Sequence, residues 1–132
     1  MKRVDWCSKL NWTEENLEDL RMAGYHYLRQ GKYEIARDFF EALVVLAPNS
    51  SSYDLQTMGA LCLEMNEPVE ALKWLDQALK LEADHTATLL NISKALLMLG
   101  KKQEALRLAK VLSKDKNLRI ANLAKALLLA WG

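Results

Sequence analysis

A repeat with a period of 34 to 35 residues constrains the fold of this chain more than any other feature. The six-residue segments 31–36, 66–71 and 100–105 each end in Ala, and the three alanines are separated by 35 and then 34 residues. Each segment begins with Gly or Asn, the residue types that most readily adopt the left-handed conformation that ends a helix. A fixed period of this length indicates stacked copies of one supersecondary unit.

The repeat continues on the N-terminal side of each segment. A small residue stands seven positions earlier, and a leucine stands four positions before that. The small residues are Gly24, Gly59 and Ser93, and the leucines are Leu20, Leu55 and Leu89. A small residue at a fixed place in each unit predicts that two helices approach each other closely there.

These residues resemble the tetratricopeptide repeat (TPR), a unit of about 34 residues that forms two antiparallel helices. The first unit matches the family pattern best, and the match decays toward the C-terminus. Its matching residues are Leu20, Ala23, Gly24, Tyr27, Ala36, Phe40, Leu43 and Pro48. The resemblance implies an all-α TPR solenoid of three helix-turn-helix repeats plus a C-terminal capping helix.

The predicted domain covers residues 14–132 and follows an N-terminal extension, residues 1–13. Its repeats span about 17–50, 52–85 and 86–119, and the extra residue of the first period is placed in the loop 49–52. Thr13 is the expected N-cap of the first helix, and Pro68 suits a first helical turn. The predicted helices are 14–30, 33–46, 53–65, 68–81, 86–99, 102–114 and 118–131.

The residues of the repeat's first helices that face a groove follow from their positions in each unit, because these helices line the concave side of a TPR solenoid. The predicted peptide-binding groove comprises Arg21, Met22, Tyr25, Leu28, Tyr53, Gln56, Ala60, Leu63, Leu90, Asn91, Lys94 and Leu97. Glu18, Arg29, Thr57, Glu64, Ala87 and Met98 occupy the remaining groove positions. Most of the large side chains are apolar, which favours a hydrophobic segment or an amphipathic helix as the ligand.

A second kind of groove is disfavoured. TPR domains that grip the C-terminal carboxylate of heat-shock chaperones use a set of Lys, Asn and Arg side chains. Only Arg21, Asn91 and Lys94 are candidates for such a clamp in this chain. The sequence therefore predicts an apolar groove and not a carboxylate clamp.

A narrower resemblance concerns function. Residues 31–48 together with 59–62 are similar to the first two repeats of bacterial type III secretion chaperones, and residues 113–120 are similar to the smaller chaperones of the needle subunit. The resemblance implies a cytoplasmic protein that binds a translocator or needle subunit and keeps it soluble before export. The alternative is a generic TPR scaffold within a larger assembly.

The sequence gives no positive sign of catalysis, so the chain is predicted not to be an enzyme and to need no cofactor or metal. His26 and His85 are the only histidines, and neither has a metal-ligand partner at helical spacing. The two cysteines form no disulfide framework, and Cys62 is expected in the core. No signal peptide or membrane-spanning run is seen, which predicts a cytoplasmic location without membrane insertion.

Charge is distributed unevenly along the chain. Residues 14–93 carry six bases and fourteen acids, whereas residues 94–132 carry nine bases and two acids. Arg107, Lys110 and Lys114 form a basic stripe without interleaved aromatic residues, so a solvated helix face is favoured over nucleic-acid binding.

The ends of the chain are unusually apolar for a solenoid, whose terminal repeats normally carry a polar outer face. The last helix is predicted to bury the stripe Ile120, Leu123, Ala124, Leu127, Leu128 and Trp131, with Leu129 off that stripe. We expect a homodimer or a co-chaperone contact through the C-terminal helix or the N-terminal segment. The alternative is that the N-terminal segment folds back over the last helix.

Overall fold

The computed structural model describes residues 6–47 and 51–132, and these form eight α-helices and no strand. The predicted all-α architecture is confirmed. Pro48 and the first half of the loop 49–52 lie outside the described residues. The helices are α1 (Trp6–Leu10), α2 (Glu14–Arg29), α3 (Tyr33–Leu46), α4 (Ser52–Glu64), α5 (Pro68–Leu81), α6 (Thr86–Met98), α7 (Lys102–Leu112) and α8 (Leu118–Trp131).

The helix ends follow the local chemistry of the sequence. Gly31, Asn66 and Gly100 have φ angles of 75°, 59° and 79°, so each takes the left-handed conformation predicted for it. Thr13 caps α2 in a reciprocal capping box with Asn16. Seven predicted helices are therefore found with ends that differ by no more than two residues.

Close contact inside each helix pair occurs at the small residues of the repeat. A Cβ atom added to Gly24 would lie 2.8 Å from Cε2 of Phe40 in α3, and one added to Gly59 would lie 2.5 Å from Cδ2 of Leu75 in α5. Ser93 is fully buried, and its hydroxyl donates a 2.7 Å hydrogen bond to the carbonyl oxygen of Ala105 in α7. The predicted close approach is confirmed in all three repeats.

The core is a series of apolar clusters along the stacked pairs. Phe40, Leu43 and Met58 are fully buried where the first repeat meets the second. Cys62, Ala71 and Leu75 form the next cluster within the second repeat. Each second helix packs against the first helix of the following repeat, which produces the solenoid.

The short helix α1 was not predicted from the sequence. It packs against α3 at the first repeat, and the thiol of Cys7 lies 2.9 Å from the carbonyl oxygen of Leu46. The alternative in which the N-terminal segment covers the last helix is therefore wrong for the described residues 6–13.

Helix α8 covers the third repeat, as predicted, by packing against α7 and α6. Ile120 and Ala124 of the predicted stripe are buried, and Leu129 is 87% exposed. Two members of the stripe are misplaced, because Leu123 is 38% exposed and Trp131 is 48% exposed. Ala121, 3% exposed, is buried in their stead, so the buried face is rotated from the predicted one.

Replacing Gly59 with Ala should destabilise the protein by about 1–3 kcal/mol, because the added methyl group would overlap Leu75 in a closely packed interface. Urea unfolding monitored by circular dichroism measures the change. Lys73→Ala, on an exposed part of α5, is the matched control and should change stability by less than about 0.5 kcal/mol. A Gly59→Ala protein as stable as the wild type would contradict the account of helix pairing.

Candidate peptide-binding site

Helices α2 and α4, the first helices of the first two repeats, are joined through their side chains by a charged pair. Arg21 donates two hydrogen bonds of 2.9 Å to the carboxylate of Asp54, one from Nε and one from Nη2. Asp54 is 1% exposed, and the pKa of the Arg21 guanidinium is raised chiefly by its hydrogen bonds to that carboxylate. Arg21 also pairs with Glu18 on its own helix. Arg21 therefore neutralises a buried acid and is not an unpaired cation awaiting a ligand.

Tyr25 links the same two helices one turn further along. Its ring packs edge-on against Phe40 at 5.1 Å between ring centroids, and its hydroxyl lies 3.2 Å from the hydroxyl of Thr57. Thr57 in turn donates to the backbone carbonyl of Tyr53 at 2.8 Å. Tyr25 is thus fixed in place, and it presents only part of its surface to the groove.

Tyr53 carries the largest apolar surface at the predicted groove positions. It is 63% exposed, and the edge of its ring contacts His85, with 4.9 Å between the centroids. His85 Nδ1 lies 2.6 Å from the hydroxyl of Thr88, a buried residue of α6. The histidine therefore supports the junction between the second and third repeats, while the tyrosine ring stays accessible.

A small apolar pocket opens where α2, α3 and α4 meet. Its volume is about 160 Å³, and it is lined by Leu28, Tyr33, Ala60, Leu61 and Glu64. Cavities of this size accept a ligand as large as a benzene ring. Leu61 is 1% exposed and belongs to the core, whereas Glu64 is exposed and is the only charged group of the lining. The pocket can accept one apolar side chain of a bound polypeptide.

The pocket and Tyr53 lie on one side of α4. Residues seven and eleven positions apart share a helix face, so Tyr53, Ala60 and Glu64 are aligned along α4. At 1.5 Å per residue, Tyr53 and Ala60 are about 10 Å apart along the helix axis. An exposed aromatic ring and an apolar pocket at this spacing can hold two anchor side chains of one ligand segment.

The third-repeat part of the predicted groove is not open. Leu90, Asn91 and Leu97 are 4%, 9% and 7% exposed. Leu90 packs with Leu112 and with residues of α8, because that helix lies over α6 and α7. The expectation that these three side chains face an open groove is therefore wrong, whereas Met98, at another groove position of the same helix, is 41% exposed.

The other predicted groove residues are exposed or half-buried to different extents. Met22 is 56% exposed. The half-buried ones are Arg21, Tyr25, Leu28, Gln56, Ala60, Leu63 and Lys94. Two pocket residues, Tyr33 and Leu61, were not predicted from the sequence. The repeat positions used to predict the groove include neither the start of the second helix nor the buried residues between the helices.

The groove offers few accessible residues that could form a carboxylate clamp. Of its three candidate residues, Arg21 is committed to Asp54 and Asn91 is buried. Lys94 is half-buried on α6. These three side chains are thus not arranged as a set of accessible anion ligands.

His26 and Cys62 carry side chains of the kinds that act as acid, base or nucleophile in enzymes. In this structure the first lies beside a side chain of its own helix and the second is buried. The side chain of His26 is exposed and lies within hydrogen-bonding distance of Gln30 on its own helix. Burial raises the pKa of the Cys62 thiol from 9.0 to about 11, which keeps it protonated near neutral pH. Within residues 6–47 and 51–132, no three His, Cys, Asp or Glu residues are grouped as metal ligands would be, and no helix there is long and apolar enough to cross a membrane.

Comparison with known proteins identifies structures that have a similar fold. No protein-family model and no curated protein sequence matches the chain. The solved structure of the Yersinia enterocolitica type III secretion translocator chaperone SycD resembles it with a TM-score of 0.81 and 19% identity, covering 96% of this chain and 98% of that one. SycD in complex with a peptide of the translocator YopD matches with a TM-score of 0.72 and 24% identity, over 89% of this chain and 96% of SycD.

A TPR domain of a different kind is also similar. The first TPR of Spaghetti (RPAP3), bound to the HSP90 peptide SRMEEVD, has a TM-score of 0.73 and 20% identity, over 89% of this chain and 94% of that domain. The chain therefore has the TPR fold. The resemblance to translocator chaperones that the sequence suggested is confirmed at the level of that fold.

Replacing Arg21 with Ala should destabilise the protein by about 3 kcal/mol, because it leaves the buried carboxylate of Asp54 without its partner. The double variant Arg21→Met with Asp54→Leu should recover much of this loss, since it removes both charges together. Urea unfolding of Arg21→Met, of Asp54→Leu and of the double variant measures the coupling. Additive losses would contradict the assignment of the pair as a link between the first two repeats.

The raised pKa of Cys62 makes a prediction about alkaline stability. The thiol is protonated in the folded state up to about pH 11, whereas in the unfolded chain it ionises near pH 9. The folded state should therefore lose about 1–2 kcal/mol of stability between pH 9 and pH 11 that a Cys62→Ala variant does not lose. Urea unfolding of both proteins at several pH values checks this, and parallel curves would contradict it.

Proposed function

We propose that the chain is a non-catalytic chaperone of type III secretion that binds a hydrophobic segment of a translocator or needle subunit before export. The observation that carries the proposal is the apolar pocket between the first two repeats, with the exposed ring of Tyr53 on the same side of α4. A client that later polymerises or inserts into a membrane exposes apolar surface too early, and such a site covers part of that surface.

The likeness of the fold to SycD, which has been solved with a peptide of the translocator YopD, supports this choice of client. The similarity of residues 31–48 to type III secretion chaperones points the same way. Release of the client would need no nucleotide, because the export apparatus can supply the work.

An extended client segment can reach both anchors. The groove has two anchoring features about 10 Å apart, which is about the distance spanned by three residues of an extended chain. The polar links between them, Arg21 with Asp54 and Tyr25 with Thr57, are already paired with each other. The client would therefore gain its affinity from apolar side chains placed at the two anchors.

The second candidate is a TPR scaffold within a larger assembly, which the likeness to the RPAP3 domain favours. A scaffold keeps its partner in the assembly, whereas a secretion chaperone releases it for export. Export-apparatus genes beside the gene for this chain would favour the chaperone. The two functions are separated directly by asking whether the bound partner is secreted.

Co-expression with the translocator and needle subunits of the same genome tests the proposal. One subunit should be recovered in soluble complex with the wild-type chain. Ala60→Glu, which places a charge in the pocket, and Tyr53→Ala, which removes the exposed ring, should each weaken that complex by about tenfold or more. Isothermal titration calorimetry with the purified subunit segment measures the effect.

Leu81→Glu is the matched control, because Leu81 is 57% exposed on α5 and lies outside the groove. It should leave client binding unchanged. Circular dichroism confirms that each variant is folded. Capture that survives both groove substitutions would contradict the groove as the client site, and a stable partner that is never exported would favour the scaffold.

A further inference from the structure

Helix α8 occupies the place of the first helix of a fourth repeat. Ile120 stands 34 residues after Thr86, which is the first residue of the third repeat. In the structure α8 packs against α7 and α6 in the way that α6 packs against α5 and α4. Helix α8 therefore has the position of the first helix of a fourth unit.

One face of each first helix is normally covered by the second helix of the same repeat. In α4 this face includes Leu55, Met58 and Cys62, which are 3%, 0% and 0% exposed. In α8 the corresponding face lacks a covering helix among the residues that the structure describes. Its fourth-position leucine, Leu123, is 38% exposed. We call the exposed residues Leu123, Ala126 and Ala130 the open face of α8, and Leu127 at its edge is half-buried against the core of the third repeat.

The repeat indicates what kind of element fits the open face. The equivalent face is covered by an antiparallel α-helix in every complete repeat. The close-contact position, however, is Leu127 in α8, where the complete repeats have Gly24, Gly59 and Ser93. A leucine there prevents so close an approach, so the covering helix must place a small residue opposite Leu127, at the usual interaxial distance of about 8–10 Å.

Charge indicates what the flanks of that helix carry. Arg119 is exposed one turn before Leu123, on the same side of α8. Residues 94–132 as a whole carry nine bases and two acids. Pairing with α8 of a second copy would bring like charges together, which is unfavourable. An acidic partner is complementary to this region.

We propose that the open face of α8 docks an amphipathic α-helix of a partner protein, with small and apolar residues on one face and Glu or Asp on its flanks. The partner helix would occupy the place that the second helix takes in each complete repeat. This site is separate from the groove of α2 and α4 and does not depend on the proposed client.

A designed peptide tests the site. The probe is an 18-residue amphipathic helix with Ala and Leu on one face and Glu elsewhere, labelled with fluorescein, and its matched control has Lys at every Glu position. Fluorescence anisotropy with the full chain should show the Glu peptide binding at least about tenfold more tightly than the Lys peptide. Equal affinities, or no binding of the Glu peptide, would overturn the proposal.

Substitutions on α8 locate the binding. Leu123→Glu and Ala126→Glu should each weaken binding of the Glu peptide by about tenfold or more, and circular dichroism shows whether both remain folded. Leu129→Glu is the matched control, since Leu129 is 87% exposed on another side of α8 and should not matter. An equal loss in Leu129→Glu would overturn the assignment of the face.

Two further measurements distinguish a partner helix on the open face of α8 from binding in the groove and from a second copy of the chain. Leu63→Glu, in the groove of the first two repeats, should leave binding of the Glu peptide unchanged, and a loss there would show that the peptide uses the groove. Light scattering of the wild type should show no dimer that depends on Leu123. A dimer that Leu123→Glu dissociates would identify a second copy as the occupant and overturn the proposal.

Discussion

The close approach of two helices at one small residue per repeat is the contact on which the rest of this structure depends. Gly24 and Gly59 admit the aromatic ring of Phe40 and the side chain of Leu75, and Ser93 admits the backbone of α7. With each pair held this tightly, the second helix is free to pack on the next repeat, and the first helices form a continuous surface. At the corresponding position of α8 the small residue is replaced by Leu127.

The surface of the first helices is not uniformly apolar. Between the first two repeats it is held together by Arg21 with Asp54 and by Tyr25 with Thr57, both of which cross from α2 to α4. Burying a charge demands a partner, so these polar groups are engaged with each other. What they leave accessible is the ring of Tyr53 and the pocket beside Ala60, and these features favour an apolar ligand.

Much of the fold could be predicted because the ends of the TPR helices are determined by residues close together in the sequence. The left-handed Gly31 and Asn66 end helices by their own conformational preference, and Thr13 caps a helix through its own side chain. The groove was predicted less well, because exposure depends on contacts between distant segments. Leu90 occupies a groove position in the repeat, but α8 covers it, and no local pattern shows how far α8 reaches. Tyr33 was not predicted as a pocket residue for the same reason, since its place in the lining depends on where α4 lies.

Site-specific photo-crosslinking of the complex with the secreted client tests the central claim most directly. A benzoylphenylalanine introduced at residue 53, where it keeps an aromatic ring at the groove, and one at residue 111, 68% exposed on α7, test whether the client lies at the groove or outside it. We expect the client to crosslink from residue 53 and not from residue 111. Crosslinking from residue 111 alone would contradict it, because the client would then lie outside the groove of the first two repeats.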